Sequence, residues 1–216
     1  MTKPLSIAEQ LLAAQVAIDG SMADAEILTA VAPYGYPLTR FQAAHELYKE
    51  TAVLVNVQKR EYGEQYGATQ AMEAAWEAAN AAYTITLKIA RIAFKNDPNA
   101  RQSLMLVGNR NRSFYGWLEQ VDALYGNMIG HAASMAAMAP FGYDQPKLEA
   151  EAALVEAARV ANLAQEREMG EAQASTRARD AKLDELNEWL ADYKVIAAIA
   201  LPVDGQKLEG LGFGSV

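Results

Sequence analysis

The sequence predicts an all-α protein made of two tandem helical repeats of about 107 residues each. Strong helix formers dominate the composition, with Ala, Glu, Gln, Leu and Arg the most prominent. No run of alternating apolar and polar residues is long enough to indicate a strand. The segment "QKREYGEQYGAT", which begins at Gln58, returns in altered form as "QEREMGEAQAST" at Gln165, 107 positions later.

The same offset aligns other parts of the chain without a gap. "APYGY" from Ala32 falls on "APFGY" from Ala139, and Ser6 falls on Ser113. Because this register holds through loops as well as helical patterns, it is hard to obtain by chance. We therefore expect residues 1–107 and 108–216 to form two helical repeats that pack together as one structural unit.

Each repeat opens with two short helical segments. The first begins after Ser6 or Ser113, both residue types that favour the N-cap position. The second covers residues 23–31 and 132–138, and an Ala-Pro-aromatic-Gly-Tyr corner then breaks the chain, where Gly can supply a positive φ. "GNRNR", residues 108–112, is interpreted as a solvated linker between the repeats, although its basic residues ahead of a helix N-terminus could hold an anion.

A long helical pattern completes each repeat, over residues 38–95 and 145–201. The patterns end near Asp97-Pro98 and near Pro202. Apolar residues at heptad spacing keep their phase through Gly63, and neither copy has a Pro there, which predicts a continuous helix of about 58 residues and about 87 Å, with room for a bend at Gly63 and Gly67. The alternative is a turn at Gly63 and Gly170, which would give two shorter helices per repeat. Six aromatic residues at core spacing are expected in the core, with a ligand cavity as the alternative: Tyr48, Tyr62, Trp76, Tyr83, Trp117 and Trp189.

The duplicated polar segment lies at the midpoint of each long helix. If the two helices pack antiparallel about a pseudo-twofold axis, as an elongated bundle, their midpoints meet. A polar layer in an apolar seam fixes helix register at some cost in stability. The predicted register layer consists of Gln58, Arg60, Glu61, Gly63, Glu64, Thr69, Gln165, Arg167, Glu168, Gly170, Glu171 and Thr176.

Four glutamates of this layer form a duplicated E-x-x-E pattern: Glu61, Glu64, Glu168 and Glu171. Carboxylates at i,i+3 spacing share a helix face, and a cluster of oxygen ligands suits Mg²⁺, Ca²⁺ or Mn²⁺. However, Arg60 and Arg167 each stand at i,i+4 spacing before a glutamate and can balance these charges locally, so a structural layer is favoured over a metal site. His45 and His131 lack the Glu-x-x-His spacing of di-iron bundles. We expect no catalytic residue and no cofactor.

Composition excludes several classes of protein. The net charge of -8 argues against nucleic-acid binding, which depends on clustered Lys and Arg. The absence of cysteine excludes disulfides, thiolate metal sites and a cysteine nucleophile. The N-terminal segment makes a poor signal peptide and no stretch reaches the roughly 20 apolar residues of a membrane span, so the default expectation is a cytoplasmic protein.

Segments from the whole chain carry a resemblance: "GEQYGAT", "GEAQAST", "FYGWLEQVDALY" and "LEGLG". The chain resembles uncharacterised bacterial helical proteins built from such repeats, a group that implies no activity and no catalytic residues. The sequence thus predicts a non-enzymatic structural or protein-interaction protein of coiled-coil type that associates with itself. The alternative is a helical bundle that binds a divalent metal ion or a small apolar ligand between its long helices.

Overall fold

The computed structural model describes residues 4–201 and 205–214, and within these ranges every regular element is helical. The predicted all-α class is confirmed. Two short 3₁₀ turns, Ala32–Tyr34 and Ala139–Phe141, precede the long helices. The helices are α1 (Ile7–Ala23), α2 (Ala25–Val31), α3 (Leu38–Ala93), α4 (Pro98–Ser103), α5 (Phe114–Met128), α6 (Ala132–Met138), α7 (Gln145–Ala200) and α8 (Gly205–Gly210).

Helices α3 and α7 each run for 56 residues without interruption. The prediction of continuous long helices is confirmed, and the alternative of a turn at Gly63 and Gly170 is wrong. An interior glycine costs a helix only about 1 kcal/mol, less than the packing of an unbroken apolar stripe supplies. After α3, the Asp97 side chain accepts a hydrogen bond from the Ala100 amide at 2.9 Å and starts α4. Pro202, where α7 was expected to end, lies outside the described residues.

The two predicted N-caps are confirmed. They differ in the residue that accepts a hydrogen bond from the amide of the N-cap serine. In α1 the Ser6 hydroxyl accepts from the Glu9 amide at 3.3 Å, and the Glu9 carboxylate accepts from the Ser6 amide at 2.7 Å. In α5 the Ser113 hydroxyl accepts from the Gly116 amide at 3.2 Å, while Asn111 Oδ1 accepts from the Ser113 amide at 3.1 Å. A loop residue thus supplies the oxygen that a helical glutamate supplies in α1.

The predicted corner before each long helix requires its glycine. Gly35 has φ = 84° and Gly142 has φ = 76°, both in the left-handed region. A β-carbon strains the backbone in that region, so glycine is favoured at these two positions.

The chain forms two compact units, and each takes half of each long helix. The first unit comprises Met1–Gly63 and Gly170–Val216, and the second comprises Glu64–Met169. Helix α3 leaves the first unit after Gly63, and α7 returns to it at Gly170. These two units do not correspond to the predicted repeats 1–107 and 108–216. The repeats were inferred from sequence similarity, and they stay a prediction.

Aromatic residues form the centre of the first unit. Phe41 of α3 meets Tyr193 of α7 edge to face, with ring centroids 5.0 Å apart, and Trp189 stacks on Tyr193 at 5.3 Å. The hydroxyl of Tyr193 bonds to Ser21 of α1, so its one polar atom is satisfied inside the core. Burial raises the pKa of Tyr193. These contacts join α1, α3 and α7 into one core.

The second unit is centred on α5, which buries its apolar face against the long helices. Trp117, Val121, Leu124 and Met128 of α5 are all at most 1% exposed. Trp76 of α3 lies 6.0 Å from Trp117 between ring centroids. Burying side chains of this size contributes about 1.5–3 kcal/mol each, so α5 is the main stabilising element of this unit.

Candidate functional site

In the first unit, part of the predicted register layer links α3 to α7 through polar contacts. Arg179 donates to Gln58 Oε1 at 2.8 Å, and the Thr176 hydroxyl lies 3.5 Å from that of Tyr62. A carboxylate oxygen of Glu61 lies within 4.8 Å of one of Glu171. Sequence reasoning did not include Arg179 or Tyr62 in the layer.

In the second unit, one polar contact of the predicted layer joins α3 and α7. Gln165 Nε2 donates to the Thr69 hydroxyl at 3.3 Å. Arg167 pairs with Glu168, the next residue in sequence, at 2.7 Å. Glu64 also belongs to this unit, so the four predicted glutamates are shared between the two units.

The arginines of the layer lie at the surface while the glutamates beside them are mostly covered. Arg60 pairs with Glu61 at 2.9 Å, and the two side chains are 63% and 12% exposed. The Arg167 and Glu168 side chains repeat this pattern at 70% and 12%. A pair with one exposed partner contributes at most about 1 kcal/mol of stability. Both pairs join neighbouring residues of a single helix, so they balance charge locally and do not set the register between helices. The register layer and its metal alternative both stay predictions.

The two glycines of the layer face open space. A β-carbon built at Gly63 or Gly170 would meet no atom within 4 Å. Neither glycine is therefore needed for close contact between helices, and neither has a positive φ.

The heptad stripe of the long helices comes to the surface near the midpoints. Tyr62, which was expected in the core, is 49% exposed, and Met169 at the matching position is 39% exposed. The prediction for Tyr62 is wrong: a hydrogen bond between α1 and α3, from Tyr48 to Gln15, lies two heptads nearer the start of α3 than Tyr62. Among the other five aromatics, Tyr83 and Trp117 are buried and Tyr48, Trp76 and Trp189 are half-buried.

Large apolar side chains are exposed at four pairs of positions that share the offset between the two copies. Their exposed fractions are similar within each pair, for example 60% and 58% for Val53 and Val160. The exposure of these residues was not predicted from the sequence. In an Ala-rich helix, the apolar residues that face the core are hard to distinguish from apolar residues on another face. The pairs are Tyr34 and Phe141, Val53 and Val160, Tyr62 and Met169, and Ile92 and Ile199.

A polar cluster inside the second unit was also missed. The carboxylate of Glu151 lies 2.5 Å from the Thr86 hydroxyl and accepts from the Tyr125 hydroxyl at 2.9 Å. Tyr143 lies 3.1 Å from Thr86 and completes the cluster. Burial, followed by the charge of Glu151, raises the pKa of Tyr125. All four groups have partners, so the cluster stabilises the unit and offers no free group for chemistry.

No helix in the described part of the chain combines the length and the apolar character that crossing a membrane requires. Comparison with protein-family models, curated proteins and solved structures finds no match for this chain. The resemblance to bacterial helical-repeat proteins accordingly stays a prediction, and function has to be argued from the side chains themselves.

Proposed function

We propose that this protein is a non-enzymatic helical scaffold that associates with further copies of itself through its long helices. The observation that carries the proposal is the set of apolar side chains exposed at matching positions, defined above. Single exposed apolar residues are ordinary, whereas a large apolar side chain exposed at the same place in both copies favours a contact surface that both copies use.

Duplication of the helical unit supports the proposal. Helices α1, α2, α3 and α4 begin at Ile7, Ala25, Leu38 and Pro98, and the second series follows at one constant offset, at Phe114, Ala132, Gln145 and Gly205. The predicted pseudo-twofold relation of the two copies is part of the same proposal. A chain with two similar faces presents the same contact surface twice, and such a chain can extend an assembly beyond a dimer.

Covering these positions contributes favourable free energy to association. Full burial of a Val, Ile or Tyr side chain contributes roughly 1.5–3 kcal/mol, so covering one that is half exposed contributes about 1 kcal/mol. Val53 and Val160 together with Ile92 and Ile199, counted on two copies, therefore supply several kcal/mol before entropy costs. The net charge of -8 on each copy opposes contact. Association should consequently strengthen as added salt screens this repulsion.

The experiment is light scattering coupled to size-exclusion chromatography over a range of protein and salt concentrations. We expect a mass larger than that of a single chain. Replacing both valines, Val53→Glu with Val160→Glu, should shift the protein toward monomer without loss of helicity by circular dichroism.

A matched control separates apolar contact from added charge. Gln70 and Gln173 are exposed polar residues on α3 and α7. The double variant Gln70→Glu with Gln173→Glu adds the same two charges and should assemble like the wild type. A wild type that is monomeric at every concentration tested would refute the proposal.

A further inference from the structure

The second unit contains an open cleft of about 1180 Å³. Its lining is basic, although the protein as a whole is acidic. Three arginines line it: Arg91 of α3 and Arg110 and Arg112 of the segment 108–112. The remaining lining residues are amides, a glycine and two tryptophans, and none is acidic.

The arginines have no carboxylate partner in the described part of the chain. Arg91 donates from Nε to the Leu106 carbonyl at 2.8 Å and from Nη2 to the Gly108 carbonyl at 3.0 Å. A guanidinium has five N–H groups, so three of its donors remain available. Arg112 is exposed and makes no hydrogen bond or ion pair among the described residues. Other arginines of the chain do have carboxylate partners, such as Arg159, which lies 2.9 Å from Asp122.

Arg110 also lines the cleft and contacts two residues of α3. Its Nη2 donates to Asn80 Oδ1, and its guanidinium carbon lies 5.7 Å from the centre of the Tyr83 ring. The charge of Arg110 opposes the rise in the pKa of Tyr83 that burial causes. Three guanidinium groups without a counter-charge make the cleft a local centre of positive potential in a chain of net charge -8.

The loop that carries two of the arginines is held in place by side chains of the neighbouring helices. Gln120 of α5 accepts from the Asn111 amide at 2.9 Å and donates to the Asn109 carbonyl at 3.0 Å. The Asn111 side chain rests on Gly116, where a β-carbon would lie 2.0 Å from Asn111 Nδ2. A loop fixed on both sides loses little entropy when it binds a ligand, which favours affinity.

We propose that this cleft binds a small phosphorylated molecule, with the phosphate on the three arginines. The planar fork of a guanidinium matches the oxygens of a phosphate in a bidentate arrangement. The volume of the cleft, about 1180 Å³, exceeds that of a phosphate group and is large enough to admit a molecule of nucleotide size. The amides of Asn80 and Asn109 face the same space and provide donors and acceptors for the rest of the molecule. None of the matched apolar positions lines the cleft, and the proposal goes beyond the scaffold function.

The test is calorimetric titration of the full-length protein with pyrophosphate, ADP and adenosine in a buffer free of phosphate. We expect binding of pyrophosphate and ADP and none of adenosine. Tighter binding of ADP than of pyrophosphate would show that the nucleoside is recognised too, and equal binding would show that the phosphates alone are held. Trp76 and Trp117 line the cleft, so their fluorescence provides a second readout.

Variants locate the ligand. Arg112→Gln should weaken binding at least about tenfold, as loss of a charged hydrogen bond does, and the melting temperature should stay unchanged because this side chain is exposed. Arg177→Gln is the control, since Arg177 is an exposed arginine of α7 in the first unit. Equal weakening by both variants, or no binding of pyrophosphate and ADP at millimolar concentration, would overturn the proposal. The titration repeated on the Val53→Glu, Val160→Glu variant should give the same affinity. Ligand binding and self-association can then be tested separately.

Discussion

Replacing the two glycines at the middle of the long helices by alanine should stabilise the protein. Gly63 of α3 and Gly170 of α7 are exposed, have helical backbone angles and are surrounded by open space to 4 Å. Alanine at these positions meets no atom and restricts the unfolded chain. Each replacement in a helix interior is worth about 0.5–1 kcal/mol.

The double variant Gly63→Ala with Gly170→Ala should therefore gain about 1–2 kcal/mol, because the two sites lie on different helices, share no partner and should have additive effects. For a chain of this size 1 kcal/mol corresponds to roughly 2–4 °C, which gives a rise in melting temperature of about 2–8 °C. Differential scanning calorimetry and urea unfolding measure the two quantities.

Gly142→Ala is the matched control. The surroundings of Gly142 are equally open, but its φ is 76°, so alanine there should cost about 1–2 kcal/mol. A loss of stability in Gly63→Ala and Gly170→Ala, similar to the loss in Gly142→Ala, would refute the description of α3 and α7 as continuous helices.

Three further predictions concern the backbone, pH and metal ions. Met105 has φ = 49° and a half-buried side chain, so Met105→Gly should have a free energy of unfolding about 0.5–1 kcal/mol higher than Met105→Ala in urea titrations, because both lose the side chain and only glycine relieves the strain. The pKa of Tyr125 in the folded protein is raised above 10.0. The protonated hydroxyl therefore contributes fully to the free energy of unfolding below pH 10, and this contribution falls by up to about 1.4 kcal/mol per pH unit as the pH rises further. Urea unfolding between pH 8 and 11 should show this fall, and Tyr125→Phe should reduce it. Millimolar Mg²⁺, Ca²⁺ or Mn²⁺ should leave the melting temperature unchanged; an increase abolished by Glu61→Gln with Glu171→Gln would favour the metal alternative.

Six helices were predictable because each depends on local signals: α1, α2, α3, α5, α6 and α7. The short helices α4 and α8 were not predicted. Ser6 and Ser113 mark helix starts through a hydroxyl that accepts an amide hydrogen bond, and Gly35 and Gly142 mark corners through their positive φ. The unbroken heptad phase marks the long helices. All these signals lie close in sequence to the feature that they specify.

The residues of the buried polar cluster and of the cleft were not predictable in the same way. Glu151 meets Thr86 across 65 positions of sequence, and nothing near Glu151 indicates a partner at that distance. Arg91 belongs to α3 and Arg110 to the loop beyond α4, and only the fold brings both to one cleft. The segment 108–112 was interpreted as a solvated linker because its sequence cannot show that Gln120 and Gly116 hold it in place.

The arrangement of the two compact units has a consequence for synthesis on the ribosome. The second unit is one continuous segment, Glu64–Met169, so the residues that form its core emerge one after another. The first unit needs Gly170–Val216 to complete the core around Phe41 and Tyr193. At roughly 5–20 residues per second, the stretch between Gly63 and Gly170 takes about 5–20 seconds to translate. During that interval the segment Met1–Gly63 lacks the residues of α7, Tyr193 among them, that complete its core, so we expect its apolar face to stay uncovered until Gly170–Val216 follows.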